Sequence, residues 1–179
     1  MPNTNEKSEK LKYKPGDHVV YKHNGICTVT DIRTQTFAGE KKLYYILTPV
    51  YSPSEVIYIP ADNPALTTQL RNILTKEEID EIIFQTEEID NEWIDIAKDR
   101  TKYFQQIIDS GDRAGILWIV KALSLHKGDA LSTKKKFYVC DERMLESAER
   151  IITNEFAFVL DIEKDKVLDY IMEKIQSAK

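Results

Sequence analysis

The chain has 179 residues, 42% hydrophobic and 31% charged, proportions of a soluble globular protein with one medium or two small domains rather than of extended disorder. No run approaches the roughly 18 apolar residues of a membrane helix. The polar stretch Met1–Lys10 lacks a signal-peptide core, and Cys27 and Cys140 match no metal or redox spacing. The expectation is a cytoplasmic protein without disulfide, metal or cofactor.

The net charge of −5 is unevenly spread: residues 76–95 hold one Lys against nine acids, whereas residues 98–150 hold eleven Lys/Arg against eight acids. Phosphate contacts depend on local clustering. An acidic total therefore leaves a nucleic-acid partner open, while arguing against a tight, nonspecific DNA coat.

In chain order, residues 1–12 form a polar terminus expected to be disordered. Residues 13–60 carry the β period: Val19–Tyr21, Ile26–Thr34, Lys42–Thr48 and Glu55–Ile59 are short runs rich in Val, Ile, Tyr and Thr. Turn signals separate them at Pro15-Gly16-Asp17, Asn24-Gly25, Ala38-Gly39-Glu40 and Pro49–Pro53. Four or five such strands predict a small, strongly bent barrel of the SH3 or Tudor type over residues 13–64. Its exposed edge is either a docking strand for a partner or the rim of a mere scaffold.

A Pro- and Asn-marked linker, Ala61–Pro64, leads to a helical domain over 65–179. Thr75-Lys-Glu-Glu78 fits a capping box. A second helix is predicted from about Asn91 to Ser110, stopped by Gly111. A third begins at Asp112 and ends near Gly128. After a polar loop and the run Lys134-Lys135-Lys136, a fourth helix opens at Cys140 or Asp141. A last one spans Glu163 to about Ser177. The fold class is α+β, a small N-terminal barrel followed by an all-α bundle.

Enzymatic chemistry needs a convergent set of groups. The sequence has no phosphate-binding loop, no GxGxxG, no GxSxG and no paired Cys/His motif, so the chain is not expected to be an enzyme. Three features remain. Trp93 stands among acidic and mixed-charge residues, either as a core cap or as an exposed stacking group, whereas Trp118 lies in an apolar stretch and reads as core. Lys98, Arg100 and Lys102 follow Trp93 without forming one stripe, although Lys98 and Lys102 are i, i+4 neighbours. The Lys134–Lys136 run follows Lys121, His126 and Lys127. Either basic group alone is an ordinary solvated face; with a Trp in the same small domain they also suit phosphate contact plus base stacking.

The stretch Tyr13-Lys-Pro-Gly-Asp-His-Val-Val-Tyr-Lys-His-Asn-Gly25, followed by Ile32, Gly39-Glu40, Tyr45-Ile46-Leu47 and Ile59-Pro60, resembles the opening of the CarD/CdnL family of bacterial transcription regulators. Trp93, Ser110-Gly111-Asp112, Asp141-Glu142-Arg143-Met-Leu145 and Glu155–Leu160 resemble its C-terminal domain. The resemblance implies a Tudor-like domain that binds the β subunit of RNA polymerase, as a similar domain of the transcription-repair coupling factor does; separately, the chain is expected to be a monomer. It also implies a helical domain that touches promoter DNA at the upstream edge of the melted bubble, without sequence readout. By that resemblance Trp93 is the wedge. The basic residues Lys98, Arg100, Lys102 and Arg143, and the run Lys134, Lys135 and Lys136, which has no counterpart in the family pattern, are the candidate DNA contacts. Some members use Arg at the positions aligned with Gln35 and Tyr58. Neither is basic here, so the polymerase contact is expected to rest on Gln35, Tyr58, strand pairing and the neighbours Arg33 and Tyr45. The competing reading is an adaptor that binds polymerase or another protein without touching DNA.

Overall fold

In the computed structural model, which describes residues 11–21, 24–90, 92–134 and 136–177, the β period of the first third becomes one antiparallel sheet. Its strands are β1 (His18–Tyr21), β2 (Gly25–Phe37), β3 (Glu40–Pro49), β4 (Ile57–Pro60) and β5 (Leu70–Asn72), in spatial order β4-β3-β2-β1-β5. β2 and β3 form a long hairpin whose two-residue turn, Ala38-Gly39, has positive φ at both positions (51° and 83°). That backbone matches the twist of the flanking strands. The register slips between Val29 and Asp31, and such a bulge bends a strand and increases its twist. The bent sheet wraps a small core of Tyr13, Val19, Cys27, Val29, Tyr45, Leu47, Ile59 and Leu70. The Tyr13 hydroxyl donates to the Leu70 carbonyl at 3.1 Å, joining both ends of this unit.

The boundary expected at residue 64 moves to 73. Pro64–Thr67 forms one helical turn, α1, and β5 then pairs with β1 (Val19↔Asn72, Val20↔Arg71, Tyr21↔Leu70). Leu70 is fully buried in the sheet's core, so residues 65–73 belong to the first unit, which ends at Ile73. Of the terminus expected to be disordered, residues 1–10 lie outside the described residues. Leu11 packs against the β core and the Lys12 ammonium sits 5.0 Å from the Tyr13 ring.

The second unit, from Leu74 onward, contains α2 (Lys76–Glu88), α3 (Ala97–Ser110), α4 (Arg113–Ser132), α5 (Val139–Leu160), a 3-10 turn (Lys164–Lys166) and α6 (Val167–Ser177). The capping box forms as its residues dictate: the Thr75 side chain accepts from the Glu78 amide at 3.2 Å, and Glu78 accepts from the Thr75 amide at 2.7 Å. Gly111 ends α3 in the left-handed region at φ 69°. In α4, Gly115 through Val120 are consecutively buried, as for a helix surrounded by others. Trp118 lies in that core with its ring edge-to-face on Phe104, 5.6 Å between centroids. Two expectations shift. α4 runs through Gly128 to Ser132, because a lone glycine weakens a helix without ending it. α3 begins at Ala97, leaving residues 92–96 non-helical; Asn91 lies outside the described residues.

Candidate nucleic-acid and polymerase interface

Trp93 sits on the non-helical segment before α3 and is half-buried against the helical core. His126 of α4 stacks on its indole, 4.1 Å between centroids and 24° between planes. The guanidinium carbon of Arg100 lies 4.4 Å from the same ring. His126 leads on to Phe137 of the α4–α5 connection, 6.3 Å away, and the Lys127 ammonium lies 5.7 Å from the Phe137 ring. The indole is thus backed by an imidazole from α4 and a guanidinium from α3 while remaining partly open to solvent.

Arg100 is not available to phosphate. It is 1% exposed, with Nε and Nη2 donating to the Asp141 carboxylate at 3.0 and 2.6 Å. Its Nη1 donates to the carbonyls of Ile94 and Asp95. The expectation that Arg100 contacts DNA is corrected: its position, four and eight residues before Phe104 and Ile108, puts it on the buried stripe of α3. Lys98 and Lys102 fall on the opposite, exposed face. Lys134, which leaves α4 with φ 54°, is exposed, as are Lys136 and Arg143; Lys135 lies outside the described residues. Asp141, expected only to open a helix, stands in the first turn of α5, where its charge also suits the helix dipole. Sequence reasoning missed its pairing with Arg100, 41 residues away. It also missed His126 as the partner of Trp93, because no local spacing links residues that far apart.

On the first unit, cross-strand registers Arg33↔Tyr44, Gln35↔Lys42 and Ile46↔Tyr58 put Arg33, Gln35, Tyr44 and Tyr58 on one face of the sheet. Phe37, Tyr44 and Tyr58 meet there as edge-to-face pairs with centroids 5.2, 5.3 and 6.3 Å apart. Phe37 and Tyr58 are exposed, and Arg33 leans on Asp31 at 3.5 Å. Tyr45 faces the other way. It is 3% exposed, edge-on to Tyr13 at 6.1 Å, with its backbone paired to Ile32 on one side and Ile59 on the other. The expected polymerase contact by Tyr45 is therefore corrected to a core role, since neighbouring residues of a strand point to opposite faces. No strand among the described residues covers the outer edge of β4.

Burial, with the Glu55 carboxylate adding to it, pushes the Cys27 thiol up to about 11, so it stays protonated and unreactive. Among the described residues no three His, Cys, Asp or Glu side chains cluster as a metal site, and no helix is long and apolar enough to cross a membrane.

The chain thus joins a Tudor-like sheet with an exposed aromatic face to a helical unit with a backed indole. Residues 13–74 match the family model of the CarD-like/TRCF RID domain, and residues 82–172 match that of the CarD C-terminal domain. The chain belongs to the CarD/CdnL family, whose members are transcription-associated, RNA polymerase-interacting and non-enzymatic.

Proposed function

We propose that this protein binds the β subunit of RNA polymerase through its first unit and, as a monomer in the bacterial cytoplasm, stabilises the open promoter complex. The second unit contacts DNA at the upstream edge of the bubble, with Trp93 as a wedge against the opened base step. Lys98, Lys102, Lys134, Lys136 and Arg143 are the candidate phosphate contacts, and Arg33, Gln35 and Tyr58 are the candidate polymerase contacts. One observation carries the reading: the partly buried indole rests on His126 and Arg100, so the ring is ordered before it meets a base. Family membership supports the polymerase half.

The energetics fit. Stacking on an unstacked base is worth about 1–3 kcal/mol and is available only once the duplex has opened. A ligand that prefers the open form shifts the equilibrium toward it. Free DNA is a poor target, because Asp90, Glu92 and Asp95 flank Trp93 and repel phosphate. Docking on polymerase supplies the missing local concentration.

The test is the lifetime of the polymerase–promoter open complex with and without the protein. The wild type is expected to lengthen it on the order of 5- to 150-fold, if the whole stacking term appears in the closing rate, and Trp93→Ala is expected to abolish the gain. An unchanged lifetime with intact polymerase binding would identify an adaptor with no DNA role.

A further inference from the structure

Trp93 lies in a segment that makes no helix, so something other than secondary structure must hold its backbone. We infer that the buried Arg100–Asp141 pair is the positioning device for the wedge, with Arg100 setting the indole and Asp141 anchoring Arg100; this rests on the proposed role of Trp93. The geometry is specific to a guanidinium. One edge, Nε and Nη2, meets the Asp141 carboxylate in a bidentate fork at 3.0 and 2.6 Å. The remaining nitrogen, Nη1, takes the carbonyls of both Ile94 and Asp95, the latter at 3.1 Å. The flat group also lies 4.4 Å from the Trp93 ring. A single side chain thus ties the non-helical segment, α3 and the first turn of α5 together, and touches the indole they present.

Stability alone is a weak reason for such a pair. Both side chains are 1% exposed, and removing two charges from water offsets most of their attraction, so apolar replacements of both partners are often tolerated. What apolar replacements cannot do is bind the two carbonyls one and two residues after Trp93. Those carbonyls accept from Arg100 and not from helical amides, and α3 begins only at Ala97. An indole fixed in advance loses less freedom on meeting DNA, the general benefit of preorganisation. Lysine offers a point charge without the planar fork, so it can keep the ion pair but not all three contacts.

The test uses the full chain with polymerase and promoter DNA, in two variants: Arg100→Lys, and Arg100→Met combined with Asp141→Leu. Fluorotryptophan labelling marks Trp93 and Trp118, the only two tryptophans, and the Trp93 fluorine resonance is identified by its loss in Trp93→Ala. In folded variants with unchanged polymerase affinity, that resonance is expected to move toward its position in unfolded chain. Most of the open-complex lifetime gain is expected to disappear, and the same substitutions made on Trp93→Ala are expected to change the lifetime no further. A Trp93 resonance that stays in place in either folded variant overturns the inference. So does an equal loss of lifetime with and without the indole, because Arg100 then acts elsewhere. Unfolding by both variants also overturns it, since the pair then serves the fold alone. If Trp93→Ala itself leaves the lifetime unchanged, the wedge reading fails separately, and the resonance still decides whether Arg100 positions the indole.

Discussion

Tyr44 and Tyr45 are adjacent, of one residue type, and separated by the sheet itself. Alternation should sort them, yet Tyr44, Tyr45, Ile46 and Leu47 are all buried, because Phe37 and Tyr58 cover the outer face while Tyr13 and its neighbours fill the inner one. With both faces covered, the period of 2 vanishes from the sequence at the place where it would have separated surface from core. The two faces predict opposite failures. Tyr45→Ala is expected to cost about 3–5 kcal/mol of first-unit stability, the scale of an aromatic removed from a core, read by thermal melting. Tyr58→Ala is expected to cost only about 0.5–1.5 kcal/mol of stability from the lost ring pairs. It should weaken polymerase binding by tenfold or more, on the order of a hot-spot residue, read by direct titration. The same limit hid Arg100: a basic residue beside a candidate wedge looks like a DNA contact until its carboxylate partner, 41 residues on, is seen. Trp93 was legible as an anomaly among acids; its support was not, because His126, Arg100 and Asp141 converge only in three dimensions.

Elements with a strong local signal emerged where the sequence put them. The hairpin turn at Ala38-Gly39, the capping box at Thr75 and the stop at Gly111 each act within a few residues, so each was legible. β5 was not, because Leu70–Asn72 is too short to show a period. Its strand character comes from pairing with β1 and from burying Leu70. The two glycines of α4 show how one residue type carries opposite meanings. A Cβ on Gly115 would lie 2.6 Å from Asp112 Oδ2 and 2.7 Å from Ile107 Cγ2, whereas one on Gly128 would meet nothing within 4 Å. Gly115→Ala is therefore expected to destabilise the second unit by about 1–3 kcal/mol through overpacking at the α3–α4 turn. Gly128→Ala is expected to stabilise it by about 0.5–1 kcal/mol by favouring the helix. Denaturant melts of the two variants check the pair, and equal effects would mean that the close approach at Gly115 does not exist.

At the scale of the whole molecule, the change of period near residue 75 was legible as a change of architecture, and the two units follow from it. The tie between the first and last helices of the second unit was not. Tyr170 and Lys174 of α6 each donate to Asp80 of α2 at 2.6 Å. Burial opposes ionisation of Asp80, but the hydrogen bonds from Lys174 and Tyr170 outweigh it and hold its pKa below the ordinary value. A depressed carboxylate stabilises fully above its unfolded pKa of about 4, and the contribution is lost as pH falls through the lower folded value. Asp80→Asn is thus expected to lower stability at pH 7 and to converge with wild type as the pH falls through the depressed folded value, measured by urea melts from neutral to acid pH. Helix α4 has a mechanical consequence. Its 20 residues make a rod about 30 Å long; its first half is gripped on all sides, and its second half carries the imidazole under the indole. If Trp93 is the wedge, the push of a closing duplex passes through that imidazole into the rod and is resisted by the clamped end, so the stiffness of the brace derives from the packing around Ile116 and Ile119.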